Sequence, residues 1–241
     1  MAATPAPPAE AGHRLRSPVG LARAAVVLLG IVIATDLLAV AAGLNLRGEY
    51  AVVTDGFVFD GDGSYRAAQW YAGVGVLQSN AMMATAVLFI LWFRRVRLNA
   101  EVFDAGLQSM RPGWAVGAWF IPVANFWLPR RVAGGIWTAS AQTNPDGAWR
   151  TVSMAPLNLW WGVWVFSMVF SQYAGRQYEQ TRLSPEIVDA VGLVLVGDVL
   201  DIAAAVLAIL FVRKLTRMQG ERAALGVTPL SAPSPAGPAP A

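Results

Sequence analysis

The sequence predicts an all-α, polytopic membrane protein with four transmembrane helices and a Pro-broken cytoplasmic segment that is re-entrant or interfacial. Three observations predict it. The chain is 56% hydrophobic and only 14% charged, with a mean hydropathy of +0.47, a balance that a water-soluble domain rarely reaches. Its apolar residues gather into blocks of roughly 18 or more, the length a helix needs to cross the hydrocarbon core. Its basic residues stand at the ends of those blocks, where they orient helices; a pI near 9.7 therefore does not call for nucleic acid.

Residues 1–17 form an Ala/Pro-rich tail that cannot bury a core and is expected to be disordered and cytoplasmic. The first apolar block, residues 24–44, follows Arg14, Arg16 and Arg23. Ala39-Val40-Ala41 looks like a signal-peptidase site, but the block is long for a signal sequence and contains Asp36, so it is read as a retained helix. Between Asn45 and Arg66, Val52-Val53 and Phe57-Val58-Phe59 flank Thr54-Asp55-Gly56, which reads as a short hairpin on the membrane surface. Asp60-Gly61-Asp62-Gly63 resembles the opening of a calcium loop, but Tyr71 stands where the closing glutamate belongs, and a plain turn is the better reading. Further spans fall at about 73–93, 156–173 and 187–212, completing a membrane domain over residues 18–217. Residues 218–241 read as a second disordered Pro/Ala-rich tail.

Orientation follows from counting charge. With four spans and a cytoplasmic N-terminus, all of the 18 basic residues except Arg47, Arg66, Arg176 and Arg182 lie inside. If the shorter apolar block from Trp114 to Leu128 also crossed, every later segment would invert and the bias would vanish. The positive-inside rule therefore favours four spans in the cell (plasma) membrane with both termini cytoplasmic. Of the basic residues only Lys214 is lysine, which points to a GC-rich bacterial genome.

There is no cysteine, and the only histidine is His13 in the tail, so thiolate metal sites are excluded, and imidazole metal sites and the common nucleophilic dyads are too unless the tail supplies the imidazole. No catalytic residue, metal or cofactor is assigned. The expected partners are membrane lipids, with a membrane protein partner or self-association also open.

The stretch from 114 to 140, WAVGAWFIPVANFWLPRRVAGGIWTAS, is the most distinctive. Pro122 and Pro129 each remove a backbone donor and disfavour helix at the preceding residue, so no straight span forms, and about two turns of helix fit between them. Asn125 lies between the prolines, able to satisfy the backbone groups they release. Arg130 and Arg131 beside Trp114, Trp119, Trp127 and Trp137 suit a segment seated among headgroups.

These residues resemble a bacterial membrane family of unknown function, common in actinobacteria, with a Phe-x-Pro-x-x-Asn-x-x-x-Pro core followed by a basic residue and a Trp. Here the positions are Phe120, Pro122, Asn125, Pro129, Arg130 or Arg131, and Trp137, and a Trp-Trp pair opening the next span is Trp160-Trp161. Gly134-Gly135 stands where the family tends to carry bulkier or charged residues. The resemblance covers roughly residues 74–212 and implies a multispan topology without an activity.

Ionisable residues inside spans are the other signal. Asp36, Asp198 and Asp201 each cost roughly 2.5–3.5 kcal/mol at helix centre, so something must offset them. Asp198 and Asp201 share a helix face, and no arginine lies at matching depth. The carboxyl groups are either protonated and hydrogen-bonded to Gln78, Asn80 or Ser167, or exposed to a watery cavity that binds a cation or proton. Counting along the helices puts Asp36, Asn80 and Asp198 at one level, with Asp201 just below. The expected function is non-catalytic lipid or partner binding. A small cation or proton transporter using the aspartates is the alternative, and an intramembrane enzyme the third possibility.

Overall fold

The computed structural model describes residues 14–54, 61–141, 152–181 and 184–225. Among these, the regular structure is helical, with no strand: α1 (Val19–Thr54), α2 (Gly61–Phe103), α3 (Trp114–Gly117), α4 (Leu128–Ser140), α5 (Ala155–Gln180) and α6 (Ser184–Ala224), with a 3-10 turn at Ala124–Phe126. Three helices, α1, α2 and α6, are long and apolar enough to cross a membrane. At 36, 43 and 41 residues they run about 54–64 Å, well beyond a hydrocarbon core of about 30 Å. α5 has 26 residues, ample length, but Asn158, Ser167, Ser171 and Gln172 dilute its apolar run.

The extra length corrects two expectations. Residues 45–54 continue α1 and residues 61–66 open α2, so the described part of the predicted hairpin is helix. Asp55 to Asp60, which hold its turn, lie outside the described residues. The backbone there stays helical because Leu46 and Ala67, beyond the first two apolar blocks, pack on Val191 and Leu195 near the start of α6 and give the helix ends a face to bury. At the other end α6 runs on to Ala224, so the C-terminal tail begins later than residue 218. Met218 and Gln219 are buried, continuing the face made by Phe211, Val212 and Leu215. Residues 1–13 and 226–241, which include His13, lie outside the described residues.

α1 packs along both α2 and α6, and α6 packs along α5, whereas α2 and α5 share no extended seam. Outward-facing side chains include Val27, Leu38, Val87, Phe166, Val199 and Leu210, all exposed, as a lipid-facing surface requires. The densest packing is aromatic and lies where α2, α4, α5 and α6 converge. The Phe211 ring stacks on Trp160 at 4.5 Å and on Trp137 at 5.9 Å, and Trp92 meets it edge-on at 5.8 Å. Such pairs each add about 0.5–1.5 kcal/mol beyond area burial.

Pro129 does not end a helix but begins one, in the first turn of α4, where its missing N–H is no loss. The loop before α3 lies directly on α4 because Gly135 has no side chain: a Cβ there would stand 3.1 Å from the Leu107 carbonyl.

Candidate functional site

Where α1, α2 and α6 meet, Gln78 Nε2 donates to Asp36 Oδ1 at 2.8 Å and to Asp198 Oδ1 at 2.9 Å. Asp36 is fully buried and Asp198 is 5% exposed. One amide therefore serves two carboxyl groups, and the second oxygen of each, Oδ2 in both, is buried without a hydrogen-bond partner. Asn80 stands outside this cluster. Two residues along α2 its side chain has turned away, is exposed, and donates to the Val76 carbonyl at 2.7 Å. Asp201, one turn along α6 from Asp198, faces α5 instead and accepts from Ser171 Oγ at 3.3 Å.

The gap between α2 and α5 opens beside that cluster. Their rings meet at two levels, Tyr71 on Tyr178 at 5.9 Å and Phe89 on Trp160 at 5.5 Å. A cleft of about 440 Å³ lies here, backed by Leu29 and Val32 of α1 and by Ala204, Ala205 and Ala208 of α6. Its walls are apolar and aromatic, with Met82 and Ile90 from α2 and Trp164 and Met168 from α5. Asp201, Ser171 and Gln172 line it at one end, while the hydroxyls of Thr85 and Ser167, which also line it, are turned back onto the Ala81 and Trp164 carbonyls. From Trp160 to Gln172 the cleft follows twelve residues of α5, about 18 Å. Three alanines at the back leave this room; larger side chains would fill it.

Trp119 closes the other end. Its ring packs edge-on against Phe89 and Phe93, each at 5.7 Å, and against Trp164 at 5.8 Å. Its Nε1 is buried without a partner. After Trp119 the chain turns sharply: Val123 has φ 65° and ψ −49°, and the Ala124 N–H returns to the Pro122 carbonyl at 2.7 Å. This γ-turn with positive φ is strained for a β-branched residue, costing on the order of 1–3 kcal/mol. Only a 3-10 turn follows before Pro129, not two turns of helix. An anchor holds the strained segment: Trp161 Nε1 donates to the Phe126 carbonyl at 3.1 Å.

The Pro/Asn/Arg/Trp motif does not present one surface. Phe120, Pro122 and Arg131 are exposed, as is Trp127, whereas Pro129 and Trp137 are buried. Trp137 is a core residue, with Lys214 Nζ 5.4 Å from its ring centre. Arg130 is engaged by the Asn158 side chain, to which its Nη2 donates. Asn125 does not cap the freed backbone groups. Its Oδ1 is buried and unpartnered, while its own N–H closes a turn onto the Ile121 carbonyl at 3.0 Å.

A second buried polar group went unread in the sequence. Gln219 Nε2 donates to the Val96 carbonyl at 2.8 Å and to Ser140 Oγ at 3.2 Å, while its Oε1 accepts from Asn99 Nδ2 at 3.1 Å. Asn99 also holds the N-terminal segment through the Arg16 backbone, accepting at 3.1 Å and donating at 2.9 Å. The helical period of α6, continued past Leu215, is the signal that points to Gln219. Among the described residues no group of three or more His, Cys, Asp or Glu is placed to hold a metal ion.

Among the described residues, three helices long and apolar enough for a bilayer and an all-helical architecture define a membrane-type helical protein, with a lateral cleft between α2 and α5. Residues 59–217 match the family described as a domain of unknown function, DUF4328, and the chain belongs to that family. No curated protein and no solved structure matches it.

Proposed function

We propose that this chain is a non-catalytic membrane protein that takes the acyl chain of a lipid, or a similar amphipathic molecule, sideways into the cleft between α2 and α5. The observation that carries this reading is the cleft itself, about 440 Å³, with apolar walls and the polar groups Asp201, Ser171 and Gln172 gathered at one end. An elongated molecule with one polar end fits that distribution, within the range of ordinary ligand pockets. Phe120, Ile121 and Val123, exposed on the strained turn next to Trp119, suit contact with lipid beside the closed end.

The reading takes α5 as a fourth crossing, with Trp114–Ser140 entering and leaving on the cytoplasmic side and both termini cytoplasmic in the cell membrane. Fourteen of the 18 basic residues then face the cytoplasm, all but Arg47, Arg66, Arg176 and Arg182. Native mass spectrometry of protein purified in mild detergent tests the cleft. Ala204→Leu with Ala208→Leu, which fills it from the back, should remove most of the retained lipid while leaving thermal stability equal or higher. Unchanged lipid retention in the filled variant counts against the cleft as the site.

A second reading, proton or cation passage, is favoured by one observation: Asp36 and Asp198 keep unpartnered oxygens, and Asp198 lies one helix turn from Asp201, which lines the cleft. Intramembrane acids with spare acceptor capacity are the usual parts of such a path.

A further inference from the structure

Along the seam of α1 and α6, near the start of α1 and the end of α6, lies a groove of about 1230 Å³ that shares no lining residue with the cleft. Its chemistry changes along its length. Arg23 of α1 and Arg213, Lys214 and Arg217 of α6 line one part, against a single carboxylate, Glu221, which stands 3.7 Å from Arg217. Arg23, Arg213 and Lys214 form no ion pair among the described residues. Val26, Val27 and Leu210 line the next part, three or four residues deeper along each helix, a step of about 5 Å. Val27 and Leu210 are 62% and 56% exposed, so an apolar partner covers them in a membrane.

We propose that this groove binds an anionic phospholipid, its phosphate held by Arg23, Arg213 and their neighbours on α6 and its acyl chains lying on Val26, Val27 and Leu210. Charge complementarity selects the headgroup: guanidinium groups from two helices converge on a site with one carboxylate, and a phosphodiester accepts from both. The step from cations to apolar side chains selects a lipid over a free phosphate, because the phosphate level is followed at once by hydrocarbon. Of the sequence motif's two candidates for this role, Arg130 is already engaged by Asn158 and Arg131 does not line the groove.

The test uses the full chain in mixed micelles holding equal phosphatidylglycerol and phosphatidylcholine, with retained lipid read by native mass spectrometry. The parent should retain phosphatidylglycerol preferentially. Arg23→Gln with Arg213→Gln should lower that preference about thirtyfold, each charge near a phosphate contributing about a factor of five. Arg23→Lys with Arg213→Lys should keep most of it, which separates lost charge from lost fold. Arg130→Gln with Arg131→Gln should retain it, as should the cleft-filling Ala204→Leu with Ala208→Leu. The proposal is overturned if the double glutamine variant at Arg23 and Arg213 holds phosphatidylglycerol as the parent does. It is equally overturned if filling the cleft abolishes the preference, or if glycerol 1-phosphate at the same concentration displaces the lipid.

Discussion

Gln219, near the end of α6, and Gln78, midway along α2, each join three elements through a single amide. At Gln219 both ends of the amide are used, and Asn99, Ser140 and the Val96 carbonyl complete the group. At Gln78 the amide nitrogen alone is used, spread over Asp36 and Asp198, and two carboxyl oxygens are left without partners inside the bundle. A completed network in a low-dielectric interior rigidifies; an incomplete one leaves acceptor capacity that a proton, cation or water can take. The first arrangement is architecture joining α2, α4 and α6. The second has the chemistry of a site.

The comparison breaks most readily at Gln219. Gln219→Ala strands up to three buried partners at once, so stability should fall by about 3 kcal/mol, read as a loss of melting temperature in detergent. A variant that melts with the parent would show that the completed network holds little together.

A single bond tests the region between the two. Trp161→Phe keeps the ring in its aromatic setting and removes only the donor to the Phe126 carbonyl, a loss of about 1 kcal/mol. Hydrogen exchange should rise across residues 120–128, where the strained Val123 turn is no longer tied, and stay as it was in α1. Uniform protection in both proteins would mean that packing alone keeps the turn.

The smallest effect belongs to the incomplete cluster. Asp36→Asn with Asp198→Asn preserves shape and supplies donors of its own, so stability should move by less than about 1 kcal/mol. Reconstituted into vesicles, the same variant should lose any proton or cation flux the parent carries. Flux equal to the parent's would remove the aspartates from the path and leave the cleft reading alone.

Much of the fold was legible because lipid imposes one-dimensional rules. Apolar blocks of sufficient length become helices, prolines at Pro122 and Pro129 prevent a straight one, and acids at Asp36 and Asp198 need a polar neighbour, which Gln78 supplies. The errors came where a neighbour decided. Asn80 stands at the right depth but on the wrong side of α2, since depth follows from counting and azimuth from packing. Residues 45–54 look strand-like in isolation, yet they are helix because Leu46 finds Ala67, Val191 and Leu195 across the bundle. Trp137 suits an interface by composition and is instead buried against Phe211.

By itself the sequence determined the helical class, the membrane as solvent, the break before α4 and the need of Asp36 and Asp198 for a polar neighbour, because each follows from local apolarity, backbone chemistry or the cost of charge in hydrocarbon. Only the tertiary structure decided that α2 and α5 stay apart over the alanines of α6, that Trp119 closes one end of the gap, and that Gln219 completes a network begun by Asn99. Those outcomes depend on which helix faces meet, and packing between segments far apart in the chain carries no periodicity that the sequence alone could display.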